Sequence, residues 1–226
     1  MLVKNWMIKP VITIDINATM QQAIDLMMEH GISILPVLED GKLVGIATDR
    51  DIKKALPSSV VVMDIQHVRS QISGLAVGAF MTPHVVTVPL DFTVEETAQV
   101  LLEKGFSGVP VVDGQGSVQG IITKTDVFKV LIAVSGVTRK GVQFALLVED
   151  ETAKIKEITG FIFAHDVRIV SFMNSYELAP AGHFYVYIRI YHPERERMLR
   201  VTDELRKEYR MIYLVDNEEN VREIFE

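Results

Sequence analysis

Short β-branched runs, amphipathic stretches and glycine- or aspartate-marked turns follow one another in the same order twice along the first 135 residues. Val11–Ile14 reads as a short strand. Thr19-Met20-Gln21-Gln22 has capping-box form, with a hydroxyl residue followed three positions later by an amide that satisfies a free helix N–H. Behind it Ile24, Met27 and Met28 fall at helical spacing, and Gly31 stands where a left-handed C-terminal cap belongs. Leu35–Leu38 and Leu43–Ala47 read as apolar strands around an Asp40-Gly41 hairpin turn. A helix is expected from Asp49 to Leu56. The second pass gives Thr93-Val94-Glu95-Glu96 as a capping box, Ala98, Leu101 and Leu102 on the apolar face, and Gly105 as the cap. Strands Val109–Val112 and Val118–Ile122 flank a Gly114-Gln115-Gly116 turn, and a helix follows over Thr125–Val134.

The two passes align residue by residue. Val3-Lys4-Asn5-Trp6-Met7 lies over Val77-Gly78-Ala79-Phe80-Met81, and Val11-Ile12-Thr13 over Val85-Val86-Thr87. Glu29-His30-Gly31 lies over Glu103-Lys104-Gly105, Ser33 over Ser107, and Pro36-Val37 over Pro110-Val111. One extra residue enters the second copy at the Gly114–Gly116 turn. Beyond it Gly45-Ile46-Ala47-Thr48 meets Gly120-Ile121-Ile122-Thr123, and Asp51 meets Asp126. A register held this long, broken once and in a turn, means two copies of one fold. The copies are expected at 1–60 and 77–135, joined by a link at 61–76. The apolar Val60-Val61-Val62-Met63 run at its edge is expected to pack.

The remaining chain has a different pattern. Val142–Val148, Val167–Met173, His183–Tyr191 and Met211–Val215 read as strands, with helices over Thr152–Phe163 and Glu194–Tyr209. That order is βαββαβ, an α+β sandwich over 142–226 behind a linker at 136–141.

The chain has 226 residues, 48% hydrophobic and 23% charged, which suits globular domains rather than disorder. It has no cysteine, so disulfides and thiolate chemistry are excluded, in keeping with a cytoplasmic location. The net charge of −7 argues against a broad nucleic-acid surface. Apolar runs fall short of the roughly 20 residues that span a bilayer, and the N-terminus lacks a signal-peptide core. The histidines have no metal-site spacing, and no catalytic constellation stands out. Gly114 and Gly116 belong to a hairpin rather than a phosphate loop, and Glu194–Arg197 reads as a solvated helix face.

Chemistry concentrates where each copy closes, at GIATDRD and GIITKTD. Thr48 and Thr123 each end a buried strand, with Asp51 and Asp126 three residues on. Two readings stay open. As helix caps, the threonines satisfy free N–H groups and the carboxylates favour the first turn. As a nucleotide site, the strand-to-helix junction receives a phosphate, the threonine hydroxyls add donors, and each carboxylate accepts from the 2′ and 3′ hydroxyls of a ribose. Arg50 and Lys124 would offset phosphate charge. One residue can serve both roles.

The repeat, its Met7…Val11-Ile12-Thr13 opening, its Pro-Val strand and its Thr-x-x-Asp close resemble a tandem pair of CBS domains, a Bateman module with a pseudo-twofold axis. Members of that family bind AMP, ADP, ATP, NAD(H) or S-adenosylmethionine in clefts between the repeats. The resemblance implies phosphate contact by Thr48 and Arg50 and by Thr123 and Thr125, and ribose contact by Asp51 and Asp126. It places the base against Val11, Ile12, Thr13 and Ile34–Pro36, or against Val85, Val86, Thr87 and Gly108–Pro110. Copy one has Arg50 where a second hydroxyl is commoner, and copy two keeps Thr125, which favours the second cleft. Arg50 and Lys124 favour a phosphate-bearing ligand over cationic S-adenosylmethionine.

The tail resembles an ACT domain, a ferredoxin-like module that pairs across dimers and in places senses amino acids. Its loop after the first strand, Glu149–Ala153, lacks the glycine or proline of the amino-acid-binding members. The combination, with TDRDIKKALPS, PLDFTVEE and GIITKTD, is similar to the acetoin-utilization AcuB family. Together these resemblances imply a non-catalytic, homodimeric regulator that binds an adenine nucleotide of the AMP or ATP class. It is expected to have no obligatory cofactor and to relay its state to a regulated protein, in acetoin or acetyl-CoA metabolism. The alternatives are a ligand-free scaffold and an amino-acid sensor acting through the tail.

Overall fold

The computed structural model describes residues 1–55 and 74–225. The expected packing of Val60–Met63 lies outside the described residues. In the first repeat a 3₁₀ turn over Val3–Asn5 precedes β1 (Ile14–Asp15), α1 (Met20–His30), β2 (Ile34–Glu39), β3 (Lys42–Thr48) and α2 (Asp49–Ala55). The second repeat mirrors it with a 3₁₀ turn over Val77–Ala79, then β4 (Thr82–Pro83), β5 (Val88–Pro89), α3 (Val94–Glu103), β6 (Gly108–Val112), β7 (Val118–Thr123) and α4 (Lys124–Ser135).

Both capping boxes form. The Thr19 hydroxyl accepts from the Gln22 amide while the Gln22 side chain accepts from the Thr19 amide, and Thr93 and Glu96 do the same. Gly31 and Gly105 both adopt positive φ at the helix ends. Behind these caps Met20, Ala23 and Met27 bury against Ile14, Leu35, Val37 and Ala47.

The expected strand Val11–Ile14 is shorter than its β-branched run. The parallel ladder pairs only Ile14 with Val37 and Asp15 with Leu38, and in copy two Val88 with Val111 and Pro89 with Val112. Pro36 and Pro110 come immediately before those partners. A proline has no amide hydrogen for a neighbouring strand, so the ladder stops one residue short of it.

The repeats exchange their leading segments. Thr82 of β4 pairs with Ile46 of β3, and Ile8 forms the matching bridge to Ile121 of β7. Met20 donates its amide to the Leu75 carbonyl and Val94 donates to Met1; Val77 donates to Ala18 and Val3 to Phe92. The two sheets have orders β1-β2-β3-β4 and β5-β6-β7. Gly45 and Gly120 make the exchange possible: a Cβ at either would sit 2.3 or 2.5 Å from the sulfur of Met81 or Met7 of the other repeat.

The tail comprises β8 (Val142–Glu149), α5 (Lys154–Ala164), β9 (Arg168–Ser175), β10 (His183–Tyr191), α6 (Arg195–Glu208), β11 (Arg210–Asp216) and β12 (Val221–Ile224). Its antiparallel sheet has the order β12-β11-β8-β10-β9. Without β12 this is the ferredoxin-like arrangement, in which each βαβ unit leaves a gap that the other fills. The edge strand β12 is an addition to the expected topology. Phe144, Leu146, Ile188 and Ile190 face Ile158, Ile162, Val201 and Leu205 of the two helices in one core. By contacts the chain divides into two compact units, Met1–Phe128 and Lys129–Glu226, with the divide inside α4.

Candidate functional site

Each repeat closes with the same small hydrogen-bonded motif. Thr48 ends β3, and both its amide and its hydroxyl donate to Asp51 Oδ2, at 3.0 and 2.6 Å. The Asp51 amide donates back to the Thr48 hydroxyl at 3.2 Å. In copy two the corresponding distances are 3.0, 2.6 and 3.4 Å between Thr123 and Asp126. The helix-cap reading is therefore realised in both copies, with aspartate in the place a capping box gives to glutamate. The first helical residue is also tied down: Asp49 donates its amide to the Ser33 carbonyl and Lys124 to Ser107.

The strands bring the other expected residues beside these motifs. Ile34 pairs directly with Thr48, and Pro36 with Ile46. Gly108 pairs with Thr123, and Pro110 with Ile121. Ile34, Pro36, Gly108 and Pro110 are buried, whereas Val11–Thr13 and Val85–Thr87 are half-buried. These two triplets lead into β1 and β5 ahead of the ladder. The proline that ends the ladder thus leaves each triplet beside the start of β2 or β6 without being zipped to it. A flat ligand could lie there and use backbone groups that a continuous sheet would consume.

The copies differ in exposure and charge. Asp126 is 2% exposed, while Asp51 is half-buried. Asp51 Oδ1 lies 3.4 Å from the Thr82 hydroxyl. The exchanged strand carries Ile8 at the matching place in copy two, so the repeat gave no signal for Thr82. Arg50 and Thr125 are exposed, and Lys124 is partly so. Arg50 makes no ion pair among the described residues, whereas Lys53 is engaged by Asp49 at 2.9 Å. The Lys53 ammonium holds the Asp49 carboxyl below its ordinary value. Among the described residues no group of three or more His, Asp and Glu side chains could hold a metal, and no helix is long and apolar enough to cross a membrane.

Two repeats that swap their leading strands and close on twin Thr–Asp motifs define a paired-repeat module of the Bateman type. The CBS domain model matches residues 3–58 and 77–133, and the chain belongs to the CBS-domain family. The CBS domain pair of protein MJ0100, solved in complex with 5′-methylthioadenosine and S-adenosyl-L-methionine, is 33% identical with a TM-score of 0.50. That likeness covers 62% of this chain and 98% of that one. CBSX2 from Arabidopsis thaliana is 28% identical, also at 0.50, over 58% of this chain and 94% of that one. An inosine-5′-monophosphate dehydrogenase from Korarchaeum cryptofilum is 34% identical over 55% of this chain, and the chain spans 23% of that enzyme. A CBS domain-containing protein from Dictyostelium discoideum is 31% identical over 59% of this chain and is spanned to 92%.

Proposed function

We propose that the CBS pair is a receptor for an adenosine-containing small molecule and that the protein is a non-catalytic regulator. The observation that carries this is the juxtaposition, twice over, of an unzipped segment and a strand-to-helix junction with a ribose-competent carboxylate. The kinship with the MJ0100 domain pair, solved with two adenosyl compounds, supports it. Thr48 and Asp51 would meet the ribose and phosphate, with Ile12 and Ile34–Pro36 against the base. Thr123, Thr125 and Asp126 would do the same in copy two.

Arg50 and Lys124 favour a phosphate-bearing ligand such as AMP or ATP over S-adenosylmethionine, whose sulfonium they would repel. The second cleft keeps Thr125, but Asp126 is the more occluded carboxylate. Exposure therefore favours the first cleft for initial binding. The ligand acts as a signal only if it binds two states of the module with different affinity. A homodimer with an ACT-like tail, relaying that state to a cytoplasmic partner in acetoin metabolism, completes the reading.

The test is calorimetric titration of the full-length protein, stripped of bound ligand, with AMP, ATP, NADH and S-adenosylmethionine. Saturable binding of a phosphate-bearing compound is expected. Asp51→Asn should weaken it about tenfold, the effect of one charge-assisted hydrogen bond, and more than Asp126→Asn does. Folded protein that gives no heat with any of the four would leave the Thr–Asp motifs as caps and make the module a scaffold.

A further inference from the structure

The ferredoxin-like unit buries a cation that no described carboxylate pairs with. Arg189 of β10 is 1% exposed. It lies on the sheet face opposite the helices, in a cross-strand row with Gln143, Val215 and Arg222. Its Nε donates to the Ser135 carbonyl at 3.3 Å, and one Nη donates to Gln143 Oε1. The other, Nη1, is buried and has no hydrogen-bond partner among the described residues. Among the described residues no carboxylate forms an ion pair with it, and burial pushes its pKa down. An unpaired buried charge is among the costliest features a fold can carry, so one that is retained asks for an explanation.

The guanidinium lines a cavity of about 460 Å³ on that face, together with Gln143, Tyr213, Arg222 and the apolar side chains of Val137 and Val215. Gln143 Nε2 donates to the Tyr213 oxygen at 3.1 Å, so the Gln143 amide is consumed at both ends and the Tyr213 proton is left to donate. Arg189, Tyr213 and Arg222 thus offer donors to one space. The carboxylate at its rim, Glu223, pairs across from Leu214, which faces the helix core, and so belongs to the other side of β12.

We propose that this cavity binds a small aliphatic carboxylate, its charged end on Arg189 and the Tyr213 hydroxyl and its hydrocarbon against Val137 and Val215. The donor set is suited to an anion. The apolar walls suit a hydrocarbon body better than a bare phosphate. Among the described lining residues Glu223 is the one acid and it belongs to the other side, so the ammonium of an amino acid would go unmatched and a plain monoanion fits better than a zwitterion. The residues that line the site all belong to the second unit.

Calorimetric titration of the full-length protein with isovalerate tests this, alongside 3-methyl-1-butanol, leucine and inorganic phosphate. Saturable binding of isovalerate, absent with the alcohol and weaker with leucine and phosphate, is expected. Arg189→Met should weaken it about tenfold or more, as loss of a charged hydrogen bond does, while leaving the melting temperature unchanged or higher because the unpaired charge is gone. Tyr213→Phe provides a second variant should Arg189→Met fail to fold, and should also weaken binding. The proposal is overturned if the wild type does not bind isovalerate or prefers phosphate. It is equally overturned if binding survives the one Arg189→Met or Tyr213→Phe variant that folds.

Discussion

At the residue scale, Thr48 and Asp51 illustrate how one local motif answers a structural need before any functional one. Three hydrogen bonds between Thr48 and Asp51 close within four residues. Thr48→Val should therefore cost about 1 kcal/mol of stability, read by urea unfolding in ligand-free protein. The nucleotide reading requires it to lower ligand affinity as well. A change in stability with affinity unaltered would restrict Thr48 to capping. Asp216 makes a pH argument of the same kind. Burial raises its pKa, but the Arg195 bond at 2.7 Å and the amides of Glu218 and Glu219 outweigh this and hold it below the ordinary 3.8. A carboxyl depressed in the fold contributes stability that is complete above its unfolded pKa and disappears as pH falls through the folded value. The contribution is thus lost below about pH 4. Arg195→Met should move the midpoint of acid unfolding upward while leaving neutral-pH structure intact by circular dichroism. An unmoved midpoint would show that the backbone amides alone hold Asp216 ionised.

At the scale of elements, what was legible in the chain depends on range. Caps, turns and alternation are local, so α1, α3 and the β2–β3 and β6–β7 hairpins could be read directly, including the Asp40-Gly41 turn with both residues at positive φ. The Thr–Asp motif was visible for the same reason. The exchange of leading strands was not, because Ile8 and Thr82 carry no local mark of whether they pair within their own repeat or across to the other. Nor was β12, a short, mostly exposed strand whose alternation is weak. Arg189 also escaped notice. A lone arginine in an aromatic strand reads as solvent-facing until the chain at Ser135–Val137 is seen to cover it. The glycine at each crossing is a sharper clue in retrospect. A Cβ on Gly120 would lie 2.5 Å from Met7 Sδ and 3.0 Å from the Ile8 carbonyl, which accepts from Ile121. A Cβ on Gly45 meets only the flexible Met81 side chain within that range. Gly120→Ala should therefore destabilise by about 1–3 kcal/mol and exceed Gly45→Ala, since backbone yields less than a methionine. Equal losses in thermal unfolding would mean that the strand at Ile8 gives way freely.

At the scale of the whole molecule, each unit has a hydrophobic core of its own. One gathers Ile14, Met20, Leu35, Val37 and Val77 from both repeats, and the other gathers the ferredoxin-like sheet and its two helices. Val77 in the first cluster comes from the second repeat, so the repeats cannot unfold one at a time without opening a shared core. Among the described residues, the tail's core draws on none before Val142. Cooperativity should track these cores rather than the boundary between the repeats. Scanning calorimetry of the intact chain should then resolve into a CBS-pair component and a tail component. An adenine nucleotide at a hundredfold excess over its dissociation constant adds about 2.7 kcal/mol to the state that binds it. It should raise the first component and leave the second in place, whereas isovalerate should do the reverse. If either ligand moves both components together, the two units unfold as one block, and a signal bound in the CBS pair would have a direct energetic route to the tail. If each ligand moves only its own, communication between the units must lie in how a partner reads them rather than in their shared stability.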